Sequence, residues 1–347
     1  MVRESGHKPI LITGATGLVG SHMVRYLYQR GYRDLRGIRR ADSDLSLLGE
    51  WAHRVEWFVG DLSDTLTLEE ALSGVDVVFH CAGFISFRTA DTAELQRTNV
   101  LGTANMVDIA LYCGVQQFIY VSSIAALGRN RQQKLIDEHT RWERSDFHTR
   151  YGISKFQAEQ EVWRAHAEGL PVAILNPSII LGGGHWDSGP ARFFPMIARG
   201  WRFYPQGNAG FVDVRDVVQL LYLLMQKKIV GRRYIANAGH MTYQEFFTLI
   251  AQTMGKHPPT IPIKPVLAEV AWRLAALYAR LTGQPPMLTR ETARQAGKTA
   301  YYDNRRSIEE LQFTYRPLEQ TVVETAHLYQ SCNRAPEVLP GLQPLPF

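Results

Sequence analysis

The sequence predicts an α/β protein: a doubly wound parallel sheet with helices on both faces, followed by a smaller C-terminal lobe. Three observations predict it. Short β-branched runs alternate with longer helical patterns over the first ~180 residues. The strand candidates are apolar throughout rather than alternating, as strands covered on both faces require. A glycine-rich turn links the first strand to the first helix.

The first strand is expected at Ile10–Thr13, and a helix at Leu18–Arg30 follows the glycine turn. Strands are expected next at Leu35–Ile38, Val55–Val59 and Val75–His80, with a helix at Leu66–Leu72 before the last of these. A long helical pattern, Ala93–Tyr112, leads to strand Phe118–Ser122, and a helix at Ile153–His166 precedes strand Val172–Asn176. After Pro177 the pattern loosens. Gly182-Gly183-Gly184-His185-Trp186 reads as a loop, and prolines recur at 190, 195, 205, 258, 259, 262, 265, 285 and 286. Val214–Met225, Tyr243–Met254 and an amphipathic stretch, Val266–Leu281, still read as helices.

Composition narrows the class. Hydrophobic residues make up 45% and charged residues 20%, an ordinary globular balance. Cys81, Cys113 and Cys332 cannot build a disulfide framework and match no zinc spacing, so a reducing cytoplasm is expected and a metal site is not. The formal charge of +5 comes from scattered arginines, which argues against a nucleic-acid footprint. No uncharged run of ~18 residues predicts a membrane span. The polar lead Met1–Lys8 lacks the apolar core of a signal peptide.

The turn itself reads Gly14-Ala15-Thr16-Gly17-Leu18-Val19-Gly20. Gly14 allows a tight turn, Gly17 lets a diphosphate approach the positive end of a helix, and Gly20 lets helix and strand pack closely. In this strand–turn–helix context the spacing points to a dinucleotide site of the Rossmann type, with Thr16 and Leu18 in the same cradle. NAD-selective sites place Asp or Glu after the second strand. This chain has Arg39-Arg40 there, and guanidinium groups suit a 2′-phosphate, so NADP is expected. Asp42 and Asp44 follow closely and keep NAD open. Asp61 and Leu62, at the end of the third strand, are placed for the adenine. Ala82 and Gly83, after His80-Cys81, are small enough for close approach of a cofactor. His80 itself reads as a packed side chain.

Tyr151 and Lys155 stand four apart on one helix face. An ammonium beside a phenol favours the phenolate, so the tyrosine pKa is expected to fall. Of the fifteen tyrosines, only Tyr151 has lysine at this spacing. Ser123, at the end of the fifth strand, is suited to donate to a substrate carbonyl, with Ser122 behind it. Asn99, inside a helical pattern, is suited to anchor a water or the backbone near the lysine.

These motifs, with Gly102-Thr103, Asn176-Pro177-Ser178 and Phe211-Val212-Asp213-Val214-Arg215-Asp216-Val217, resemble the extended short-chain dehydrogenase/reductase superfamily over roughly residues 8–325. Within it the chain is most similar to the NAD-dependent epimerase/dehydratase group and its dihydroflavonol-reductase-like and 3β-hydroxysteroid-dehydrogenase-like members. The resemblance implies that Tyr151 exchanges the proton. It implies that Lys155 lowers the Tyr151 pKa and holds the nicotinamide ribose, and that Ser123 orients the carbonyl. Pro177 and Ser178 would lie near the nicotinamide, Asp213 and Asp216 would cap or position the following helix, and the chain would form a homodimer. It further implies a dinucleotide-binding unit at 8–180, with sheet elements returning near 211–237. A mainly substrate-binding lobe at 181–330 and a tail at 331–347 would complete the chain.

Two departures refine the reading. Ile124-Ala125 follows Ser123 where the sugar dehydratases carry an Asp-Glu pair. The basic turn at Arg39-Arg40 replaces the acidic residue of the NAD-retaining epimerases. Both favour an NAD(P)-dependent oxidoreductase that moves hydride between a nicotinamide and a ketone or secondary alcohol. A nucleotide-sugar epimerase with tightly held NAD and a clamp from Arg192, Arg199, Arg202 and Arg294 is the first alternative. A non-enzymatic NAD(P)-sensing regulator is the second. The substrate is expected to be a small molecule with an apolar ring. Phe84, Phe87, Trp186, Phe193, Phe194, Trp201 and Tyr204 could receive such a ring or could equally be core.

Overall fold

A computed structural model describes residues 8–129, 135–143, 148–264, 269–270, 272–273, 275, 289–291 and 297–334. In chain order the elements begin with β1 (Ile10–Thr13), α1 (Leu18–Gln29), β2 (Leu35–Arg39), β3 (Glu56–Val59), α2 (Thr65–Leu72) and β4 (Val77–His80). Next come α3 (Thr92–Leu95), α4 (Gly102–Tyr112), β5 (Gln117–Val121), β6 (Leu135–Ile136), α5 (Arg150–Ala167), β7 (Val172–Pro177) and β8 (Ile179–Leu181). They are followed by α6 (Phe193–Ala198), β9 (Phe203–Pro205), β10 (Asn208–Asp213), α7 (Val214–Gln226), β11 (Arg232–Ala236), β12 (Gly239–Thr242) and α8 (Tyr243–Thr253). The last are β13 (Ile261–Ile263), β14 (Tyr301–Tyr302), α9 (Arg305–Leu311) and α10 (Leu318–Arg334).

The large sheet has seven parallel strands in the order β11-β7-β5-β4-β1-β2-β3. Its strands are apolar because alternate residues enter two different cores. Ile10, Ile12, Phe79, Ile119 and Leu175 pack with Met23, Val24 and Leu27 of α1 and Leu220, Leu221 and Leu224 of α7. Leu11, Val78, Phe118, Tyr120 and Ile174 pack on the other face with Leu68, Met106, Val107, Ala158 and Val162. Each fully buried aliphatic side chain contributes about 1.5–3 kcal/mol, so both helical layers are firmly held. Strand order reverses between β1 and β4, which opens a crevice at their carboxyl ends.

Three details differ from the sequence reading. Of the stretch 211–237, only β11 enters the large sheet, beside β7. β10 pairs instead with β8 and β12 in a three-stranded sheet. Pro177 ends the β7–β11 register because it has no N–H to donate, and Ser178 closes the ladder by donating to the Ala236 carbonyl at 2.9 Å. The long 93–112 helix is interrupted by a six-residue π-helical turn, Gln96–Leu101. α10 continues to Arg334, past the expected start of the tail. Trp186 and Phe194 are core: they pack in the lobe with Phe211, Phe246, Phe247 and Val322, and Phe193 lies against the same cluster. Most of Val266–Leu281 and of the tail lies outside the described residues.

Candidate active site

The crevice between β1 and β4 is built by close backbone approach. Gly14 has φ +64°, and a Cβ there would lie 2.7 Å from the Ala82 nitrogen. A Cβ on Gly20 would lie 2.2 Å from the Gly14 carbonyl oxygen. Glycine is therefore required at both positions. Gly17 is the N-cap of α1; no side chain caps that end, and no acidic residue occupies its first turn. The first turn of α1 thus starts beside exposed Gly17 and half-buried Thr16, an arrangement that fits a diphosphate. Leu18 meets the loop after β8, where a Cβ on Gly184 would lie 3.3 Å from its Cδ1.

At the nucleoside end, Arg39 closes β2, and its guanidinium lies 6.0 Å from the Trp57 ring centroid. Arg40 is exposed and pairs with Asp42 at 3.5 Å. Arg36 is turned away, onto Glu56 and the carbonyls of Ala71 and Ser73. The Asp61 carboxylate accepts from the Ser63 nitrogen at 2.7 Å and its hydroxyl at 2.5 Å, and Arg97 approaches to 3.5 Å. These bonds hold its pKa below the usual carboxylate range. Leu62 packs on α4, where a Cβ on Gly102 would lie 2.8 Å away. His80 is fully buried between the Thr13 hydroxyl (2.7 Å) and the Thr103 hydroxyl (3.1 Å), and burial lowers its pKa to about 3. It is a packed, neutral side chain that ties β4 to β1 and α4.

At the reactive end, α5 begins with Thr149 capping the Gly152 nitrogen at 2.9 Å. Lys155 is 3% exposed, donates to the Val121 carbonyl at 2.8 Å and lies 4.3 Å from the Tyr120 ring centroid. Burial lowers its pKa to about 7, against the raising influence of Glu159 and Cys81. The ring of Phe87 lies edge-on to Tyr151 at 5.9 Å between centroids, and the Ser123 side chain lies close enough to the phenol to act on its pKa. The expected acidification of the phenol is reversed here. Burial raises Tyr151 to about 12, and the opposing influence comes from Ser123 and not from the amine, which is turned to the β5 backbone and is itself only partly charged near pH 7. Ser123 also caps the short turn after β5 through the Ala125 nitrogen.

Asn99 sits within the π turn, buried. It accepts from the Phe84 nitrogen at 2.7 Å and donates to the Phe84 carbonyl at 2.9 Å and to Ser154 Oγ at 2.9 Å. Ser154 donates in turn to the Tyr151 carbonyl at 2.8 Å. π turns recur at functional sites because the extra residue redirects side chains. A Cβ on Gly83 would lie 3.5 Å from Asn99 Oδ1 and 3.8 Å from Lys155 Nζ, so Gly83 leaves room in front of both.

The fold therefore brings together Gly14, Ala82, Gly83, Asn99, Ser123, Tyr151 and Lys155. Ser122 turns the other way: its hydroxyl donates to buried Glu159 at 2.5 Å. Asn176, just before Pro177, is likewise committed to Glu159 and to the Ser123 carbonyl. The Ser178 hydroxyl is buried without a hydrogen-bond partner. Asp213 caps α7 through the Arg215 nitrogen, a structural role. Arg199 and Arg202 are exposed, and Arg294 lies outside the described residues. Among the described residues no cluster of three His, Cys, Asp or Glu side chains could hold a metal, and no helix is long and apolar enough to cross a membrane. Sequence reasoning missed Glu159 and Phe87's place on Tyr151. Glu159 was detectable, since it repeats the four-residue spacing from Lys155 on the buried face of α5.

A glycine cradle at the switch point, with Ser123 just past β5 and Tyr151 and Lys155 on α5, is the arrangement of an NAD(P)-dependent oxidoreductase of the extended short-chain dehydrogenase/reductase class. The chain belongs to the NAD dependent epimerase/dehydratase family, whose model matches residues 10–239. Sterol demethylase protein B of Methylococcus capsulatus is 36% identical over 265 residues, 75% of this chain and 78% of that protein. Cinnamoyl-CoA reductase 1 of Petunia hybrida is 26% identical over 277 residues, 76% of this chain and 82% of its own length. The crystal structure of gox2253 is 33% identical with a TM-score of 0.80, covering 94% of this chain and 99% of that one.

Proposed function

We propose that the protein uses NADP to interconvert a ketone and a secondary alcohol on a small molecule bearing an apolar ring, running as a reductase. The observation that carries this is the grouping of Ser123, just past β5, with Tyr151 and buried Lys155 on α5, where the Ser123 side chain acts on the Tyr151 phenol and Lys155 donates to the β5 backbone. When bound, the nicotinamide supplies the hydride. The Ser123 hydroxyl donates to the carbonyl oxygen and polarises it. The Tyr151 phenol, held at about 12, keeps its proton at neutral pH and is therefore a proton donor in reduction. Lys155 would hold the ribose hydroxyls, and Asn99 fixes the loop that carries Phe84 and Phe87. Gly14, Thr16, Gly17, Leu18 and Gly20 would hold the diphosphate. Arg39 and Arg40 would take the 2′-phosphate, with Asp61, Leu62, Ala82, Gly83, Pro177 and Ser178 lining the rest.

The apolar-ring preference rests on the loop after β4. Ile85 is 59% exposed there, and Phe87 stacks edge-on to the reacting phenol. Sterol and cinnamoyl groups in the names of two relatives fit the same preference. Residues 8–180 with β11 would form the cofactor unit and 181–330 mainly the substrate lobe, in a cytoplasmic homodimer. A panel of fused-ring and aryl ketones, aldehydes and secondary alcohols with NADPH and NADH, read by nicotinamide absorbance, tests the reading. NADPH-dependent reduction of ring ketones is expected. Purified protein carrying tightly held NAD, with no net redox turnover, would overturn it.

A further inference from the structure

Behind the reactive face lies a buried polar cluster centred on Glu159, which is fully buried one turn beyond Lys155 on α5. Its Oε1 accepts from Ser122 Oγ and from Asn176 Nδ2, each at 2.5 Å, and its Oε2 accepts from Arg233 at 3.3 Å. The same Asn176 amide donates to the Ser123 carbonyl at 3.0 Å. Arg233 is held in turn by the Glu138 carbonyl, at 2.8 and 2.5 Å. One carboxylate thus fastens the carboxyl ends of β5 and β7 to α5 and β11.

We propose that Glu159 is a positioning residue for the reductase reaction described above: it fixes the strand end that carries Ser123 and places a negative charge one helical turn from Lys155. The inference rests on that reading of Ser123 and Lys155. A purely structural ion pair with Arg233 would explain the burial but not the rest of the geometry. Two bonds go to the immediate neighbours of Ser123, and the carboxylate stands one turn from the lysine. The groups facing Lys155 are Glu159 on its own helix, His80 and Cys81 at the end of β4, Tyr120 on β5, and Asn99 and Tyr151. Burial keeps His80 uncharged, with its pKa near 3, and Cys81 protonated, with its pKa pushed up to about 12. Glu159 is then the anion that offsets the cost of desolvating the ammonium.

Glu159→Gln keeps the shape and removes the charge. The test compares it with wild type in three ways: the pH profile of kcat/KM on a ring ketone with NADPH, the Kd for NADP across the same pH range by fluorescence, and Tm. Lys155 loses its charge as pH rises through its pKa, so removing the anion moves that alkaline limb downward. A shift of about one pH unit is expected, which is about a tenfold loss on the alkaline side. NADP affinity should weaken at least about threefold near pH 8.5 and hold near pH 5, about one unit below the shifted pKa, where the amine is largely protonated in both proteins. A uniform drop in activity or Tm, with both pH profiles superimposed on wild type, would overturn the inference and mark Glu159 as structural. If the single variant does not fold because Arg233 is stranded, E159Q/R233M removes both partners and is read the same way. Should wild type bind NADP but reduce no ketone on the panel, the reading of the substrate fails while the affinity profile still decides this inference. Absence of NADP binding would sink both.

Discussion

Replacing Asn99 by alanine should cost the protein both stability and turnover, and the size of the loss follows from its bonds. The side chain is 1% exposed and makes three hydrogen bonds, two to the Phe84 backbone and one to Ser154. At a net value of about 0.5–1.5 kcal/mol each, their loss amounts to about 2–4 kcal/mol, and the stranded Phe84 groups push the figure upward. Against a typical total of about 5–15 kcal/mol, such a loss is easily seen as a lower urea midpoint with unchanged slope. Turnover falls for a separate reason. Phe84 anchors the loop whose Phe87 packs on the Tyr151 ring, and Ser154 is bonded to the Tyr151 carbonyl. Loss of this alignment should lower kcat by about tenfold or more. Asn99→Asp sharpens the test, because aspartate can accept from the Phe84 nitrogen but cannot donate to the Phe84 carbonyl. An alanine variant within about 0.5 kcal/mol of wild type and with unchanged kcat would refute the clamp.

Three further outcomes are expected. Tyr151→Phe should abolish reduction of ring ketones while leaving the Kd for NADP within about threefold, since the phenol is assigned proton transfer rather than cofactor retention; retained turnover would reassign the donor. The R39A/R40A double variant should raise the KM for NADPH by about tenfold or more and leave that for NADH nearly unchanged, because only NADPH carries the extra phosphate; equal effects on both cofactors would remove these arginines from the site. Acid should destabilise the fold through its buried histidines: His80 and His22 are held near 3 and 4 by burial, against about 6.5 when unfolded. The unfolded chain binds more protons below pH 6.5, so stability present above that value is lost as pH falls, by up to about 1.4 kcal/mol per unit for each histidine. His80→Gln should flatten the urea-derived slope between about pH 6.5 and 5 by one such increment; an unaltered slope would show that His80 takes no part.

Much of this architecture is legible in local pattern. All six expected strands of the large sheet form within two residues of their expected ends, because each alternates between two apolar cores and so reads as a continuous apolar run. The glycine cradle is legible because Gly14 and Gly20 have steric reasons that hold whatever the rest of the chain does. What local pattern leaves out is direction and distance. Ser122 and Ser123 are adjacent in sequence, yet a strand end sends one to the buried Glu159 and the other toward Tyr151. Tyr151 and Lys155 share a helix face, but the amine is satisfied by the Val121 carbonyl, a partner 34 residues away that no spacing rule names. The aromatics divide for the same reason. Trp186 and Phe194 meet Phe246 and Tyr329 only through the packing of the lobe, whereas Phe87 reaches Tyr151 from the β4 loop.

The π-helical turn carries a constraint on how this chain can vary. A wide turn spends one more residue than an ordinary turn to reach the same height along the helix, so a single deletion between Gln96 and Leu101 would leave a smoother, more regular rod. The hydrogen-bond ladder would gain from that change, yet Asn99 would swing by about 100° away from Phe84 and Ser154. Shortening this helix would thus trade a more regular ladder for the loss of the Asn99 bonds, so the extra residue is retained by the side chain it aims and not by the helix that contains it.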